Sequence, residues 1–120
     1  MDLSAGENNL FGDADTDNKH FTEFMMNYNE AEKSEMADKE VVKMMNPMNY
    51  IGSKSASTAK YWRIRHGEAD RDTSLAIPVI LTLKLENSGK DVDFSAPWAQ
   101  GHGGDYDLDE LFEWMEKVSN

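Results

Sequence analysis

The 120-residue sequence has no cysteine, only three prolines, and 12 basic residues against 23 acidic ones, for a net charge of −11. Without cysteine there can be no disulfide framework, no thiolate zinc site and no thiol nucleophile within these residues. The scarcity of Lys and Arg, with no basic arm or patch, argues against nucleic-acid binding through phosphate neutralisation. Long apolar runs are also missing, and none approaches the roughly 20 residues that span a bilayer. The first residues, Met1-Asp2-Leu3-Ser4, lack the basic-then-apolar layout of a secretory signal. The chain expressed as it stands is therefore expected in the cytoplasm, without a membrane partner. Only 39% of residues are hydrophobic, and the length fits one domain at most.

What is present divides into two regions. Residues 1–60 read as a helical and loop segment, lid-like or packing in character. Polar stretches at 12–18 and 52–58 flank two short helical candidates. Phe21, Phe24, Met25 and Tyr28 fall at i, i+3, i+4, i+7, one face of a helix. A second candidate runs from about Ala37 to Met45 and stops at Asn46-Pro47, because the residue before proline is pushed out of the helical region. The methionines of this half (Met25, Met26, Met36, Met44, Met45, Met48) suggest adaptable core or interface packing.

Residues 61–120 alternate element types. Tyr61–His66 is aromatic and β-branched and predicts a strand ending at Gly67. Thr73–Asn87 predicts a helix apolar nearly all round. Pro78 falls near its first turn, and Ser88-Gly89 supplies the stop. Val92–Ala96 predicts a second strand, and a last helix begins near Asp107. A strand–helix–strand order makes the two strands parallel and brings their C-terminal ends to one sheet edge, where open α/β sheets bind ligands. The loops at 67–72 and 97–104 are then neighbours. Two strands are too few to form a sheet buried on both faces. The expected class is α/β, a βαβα unit preceded by the helical and loop segment, the whole making one partial domain.

Those neighbouring loops carry Asp70 and His102. An Asp and a His in that order are two members of a Ser–Asp–His triad, with His102 as general base then acid and Asp70 fixing its tautomer. Taken alone, these residues are equally well explained as an aspartate in a turn and a solvent-exposed histidine. The Ser57-Thr58-Ala59-Lys60 match to a Ser-x-x-Lys motif lacks its companion motifs. Calcium-loop spacings at Asp13-x-Asp15-x-Asp17 and Asp105-x-Asp107-x-Asp109 fail at the sixth position, Asn18 and Glu110, where glycine is needed. Asp107 or Asp109 reads better as a helix cap. No metal site is expected.

Four stretches carry a further likeness: Trp62-Arg63-Ile64-Arg65-His66-Gly67, Asp70-Arg71-Asp72-Thr73-Ser74, Gly101-His102-Gly103-Gly104-Asp105-Tyr106-Asp107 and Asn46-Pro47-Met48-Asn49-Tyr50. Together they resemble the C-terminal part of bacterial tannase and feruloyl-esterase-like α/β-hydrolases. The resemblance implies a serine esterase acting on phenolic-acid esters such as gallate or ferulate, without a cofactor. It implies Asp70 and His102 as the triad acid and base, and Asp72 as a substrate-binding group for phenolic hydroxyls. Glu7, in Glu7-Asn8-Asn9-Leu10-Phe11-Gly12, is the candidate for a second such group. The family's Gly-x-Ser-x-Gly nucleophile elbow is not found in these residues. The chain is thus expected to be inactive alone and to need the nucleophile-bearing part. The alternative is a non-catalytic stand-alone α/β domain that binds a partner or self-associates, a second copy covering its exposed sheet edges.

Overall fold

Local capping chemistry sets the first elements. In the computed structural model, which describes residues 11–12, 19–28, 35–104 and 106–120, contacts divide the chain into two compact units, Met1–Asn49 and Tyr50–Asn120. Glu7 lies outside the described residues, as do Asp13, Asp15, Asp17 and Asp105. In the first unit, extended Thr22 accepts a hydrogen bond from the Met25 amide at 3.2 Å and starts α1 (Glu23–Asn27). The Asp38 carboxylate accepts from the amides of Glu40 and Val41 at 2.8 and 3.3 Å and starts α2 (Lys39–Met45). Extended Asn46 stops α2 ahead of a 3-10 turn at Pro47–Asn49. Only five residues long, α1 leaves Phe21, Phe24 and Tyr28 exposed, with the Phe24 and Tyr28 rings 4.7 Å apart. None of the methionines from Met25 to Met48 is buried.

The second unit is a strand–helix–strand–helix. β1 (Tyr61–Arg65) and β2 (Asp91–Ser95) pair in parallel, from Tyr61 opposite Asp91 to Arg65 opposite Ser95. Strand alternation puts Trp62, Ile64, Val92 and Phe94 on one face of the sheet and Arg63, Arg65 and Asp93 on the other. The crossover is α3 (Ala76–Asn87), which packs against both strands. Its end is a Schellman motif. The Gly89 amide bonds the Glu86 carbonyl at 2.9 Å and the Lys90 amide bonds Leu85 at 3.1 Å, with Gly89 at φ +74° supplying the left-handed turn.

Pro78, Thr82 and Leu85 are the buried stripe of α3, spaced i, i+4, i+7, and Leu85 is 0% exposed. The remaining sides are still apolar: Leu75, Ile77, Ile80 and Leu83 are exposed. A helix apolar all round normally lies inside a larger core, and this sheet covers only one side of it. α4 (Leu108–Ser119) likewise exposes Leu108, Phe112 and Met115. The class is α/β, with two parallel strands as the full sheet among the described residues.

Candidate active site

Both strand ends open onto one edge, and backbone hydrogen bonds lock the loops that follow them. His66 N–H donates to the Ser95 carbonyl at 3.2 Å, carrying the ladder one step beyond β1. Glu68 N–H then bonds Pro97 O, and Ala69 N–H bonds Gln100 O, both at 2.9 Å. Gly67 lies so close beneath the second loop that an added Cβ would overlap the carbonyl oxygens of Gln100 and Gly101. The contact needs glycine for space, not for an unusual φ. Ala99, two residues beyond Pro97, adopts the left-handed region at φ 57°, a conformation that alanine holds only under constraint.

Asp70 is fixed by its own turn. One carboxylate oxygen accepts the amides of Asp72 at 2.8 Å and Thr73 at 3.2 Å. Its other oxygen faces the Nδ1 atoms of His102 at 3.1 Å and His66 at 3.7 Å. The two oxygens thus have separate tasks, one anchoring the turn and one addressing imidazoles. The Asp70 side chain is 6% exposed and that of His102 47%, so a buried carboxylate backs a ring that solvent reaches. Burial pushes the Asp70 carboxyl up, but the Asp72 and Thr73 amides and the His102 ring outweigh it and hold it below the ordinary range. At neutral pH Asp70 is therefore ionised and can only accept. The Nδ1–H of His102 donates to it, which puts the ring's acceptor lone pair on Nε2. That is the tautomer a general base uses.

Asp72, whose own amide helps anchor Asp70, is exposed beside the pair. Ligand atoms of Asp70, Asp72 and His102 lie within 4.8 Å of one another, a reach that could take a divalent cation. Both Asp70 oxygens are already engaged, so a cation would compete with the amides or with His102.

Solved structures match nearly the whole chain. Over 99% of this chain and 26% of its own, the tannin acyl hydrolase of Lactobacillus plantarum is 48% identical with a TM-score of 0.83. A tannin acyl hydrolase in complex with ethyl gallate gives 48% identity and a TM-score of 0.82 over the same shares. Fusobacterium nucleatum tannase is 60% identical over 96% of this chain and 25% of its own, with a TM-score of 0.79. The chain belongs with the tannases. It spans about a quarter of the length of these relatives. No family model and no curated protein matches it.

Three of the four site candidates in this tannase-like chain, Asp70, Asp72 and His102, come together at one sheet edge. Glu7 falls outside the described residues. Sequence reasoning does not single out His66, which is buried and faces Asp70. Nor does it find the ion pairs that Arg63 and Arg65 make with Asp107. Asp107 does occupy the N-cap position of α4, but its side chain makes no capping hydrogen bond. The carboxylate turns instead to the two arginines, a choice that helix-end sequence rules cannot reveal.

Proposed function

We propose that this chain supplies the acid–base half of a phenolic-ester hydrolase of the α/β-hydrolase type. The observation that carries the reading is the His102 Nδ1 to Asp70 hydrogen bond at the shared C-terminal edge of two parallel strands. Kinship with tannases, one of them solved with ethyl gallate, supports a galloyl-type ester as substrate.

In the completed enzyme a serine Oγ attacks the ester carbonyl carbon and passes its proton to His102 Nε2. Asp70 stabilises the resulting imidazolium. The tetrahedral intermediate expels the alcohol, which takes the proton back from Nε2, and an acyl-enzyme remains. Water, deprotonated by the same nitrogen, then releases the phenolic acid and restores the serine. Asp72, an exposed acceptor beside the pair, receives hydrogen bonds from ring hydroxyls. Glu7 is a second acceptor for them. No Gly-x-Ser-x-Gly elbow occurs in the 120 residues, so nucleophile and oxyanion donors come from another polypeptide segment. The purified chain should therefore give no turnover of methyl gallate or methyl ferulate. Robust hydrolysis blocked by a serine-directed acylating reagent would contradict this division of labour.

The exposed apolar sides of α3 and the two strand edges left unpaired among the described residues favour a second reading, a non-catalytic domain that pairs with its own copy. A well-folded symmetric dimer in sedimentation would support it, and a monomer would favour the first.

A further inference from the structure

Beyond the Gln100 and Gly101 carbonyls, which lie against Gly67, the loop presenting His102 has open space at its glycines. A Cβ added at Gly101, Gly103 or Gly104 would meet nothing within 4 Å. Three glycines in four residues give such a segment wide backbone freedom, so its course depends on how its ends are held. The upstream end is fixed by the backbone bonds from Glu68 and Ala69 to Pro97 and Gln100. The downstream end runs through Tyr106 to Asp107.

Residues i and i+2 of a strand share a face, so Arg63 and Arg65 both reach Asp107. Arg63 bonds it through both terminal nitrogens, with Nη1 at 3.3 Å, and Arg65 does so through Nε at 2.8 Å. Asp93, opposite Arg63 in register, balances the second charge and bonds Arg65 Nη2 at 2.9 Å. The Arg65 Nη1 also bonds the Asp93 carbonyl at 2.8 Å and the Ile64 carbonyl at 3.0 Å. Two guanidinium groups thus meet two carboxylates. The side chains of Arg63, Arg65 and Asp107 are each at most 15% exposed, where such pairs are little screened. Asp107 forgoes the cap of its own helix to make this tie.

We propose that Arg63 and Arg65 are positioning residues for His102: by gripping Asp107 they fix the downstream end of its loop and hold the imidazole at Asp70. The proposal rests on the Asp70–His102 pair being the acid–base pair.

The test is a double-mutant cycle on the 120-residue chain, read by NMR titration of the His102 ring. Asp70→Asn should lower the His102 midpoint, because the carboxylate favours the charged ring. Asp107→Asn should lower it by about half as much or more, through loss of position. Asp107→Asn in the Asp70→Asn background should then add nothing, since no carboxylate remains to be misaligned. An equal shift in both backgrounds means that Asp107 acts by its charge alone, and that overturns the proposal. So does an Asp107→Asn chain that unfolds more easily but titrates as before. Arg65→Lys, which keeps the charge but loses the fork, should give a smaller downward shift and serves if Asp107→Asn fails to fold. No shift with Asp70→Asn itself would instead remove the acid–base pair and the reading beneath it.

Discussion

Asp70→Asn is expected to lower kcat on methyl gallate about 10⁴-fold in a completed enzyme, with KM little changed. The completed enzyme is a fusion in which this chain replaces the matching quarter of the Lactobacillus plantarum tannase. The substitution is nearly isosteric, and the oxygen of the introduced amide can still accept the N–H groups of Asp72 and Thr73, which hold the turn. The atom facing His102 changes from an acceptor to a donor NH₂. His102 must then accept at Nδ1 and carry its proton on Nε2, the nitrogen that should receive the serine proton. The imidazolium also loses its counter-charge. Such a loss in kcat corresponds to about 5.5 kcal/mol of barrier. Steady-state kinetics with matched expression and circular dichroism separates this from misfolding. A loss confined to KM would place Asp70 in substrate binding instead.

Gly67→Ala is expected to damage fold and site together. The new methyl would enter the space of the Gln100 and Gly101 carbonyls, which are backbone and cannot rotate aside as a side chain can. The loops must part, and the Ala69 to Gln100 hydrogen bond at 2.9 Å is the first to go. Overpacking together with a lost hydrogen bond between the loops should cost about 2–4 kcal/mol in urea unfolding. The His102 ring should move away from Asp70, so its titration should approach that of the Asp70→Asn chain. Unchanged stability would mean that the loops are not in contact at Gly67.

Features set by near neighbours in sequence were legible from the residues. The aromatic and β-branched residues of Tyr61–Arg65, the Ser88-Gly89 stop and the proline after Asn46 each act within a few residues, and each gave its element. Asp70 and His102 are 32 positions apart, yet the parallel topology alone makes their loops neighbours. What escaped depends on register and packing. Nothing local says that Asp107 will reach back 42 and 44 positions to two arginines and leave its own helix uncapped. Nor does the sequence show that Gly67 is needed for clearance, since its backbone angle is ordinary and only the opposing loop makes it special. The apolar periodicity of Phe21, Phe24, Met25 and Tyr28 did mark a helix, α1, but not what packs on it. Among the described residues its cover is partial: Phe11 stacks on Phe21, and the Phe24 and Tyr28 rings pair with each other.

The most direct measurement is single-turnover hydrolysis of methyl gallate by the same fusion, with His102 intact and with His102→Ala. The intact fusion should acylate its serine and release gallate. The His102→Ala fusion should be slower by about three or more orders of magnitude, the scale of losing a triad base. A folded His102→Ala fusion that turns over as fast as the intact one would contradict the assignment of His102, and with it the reading of this chain as the acid–base half of an esterase.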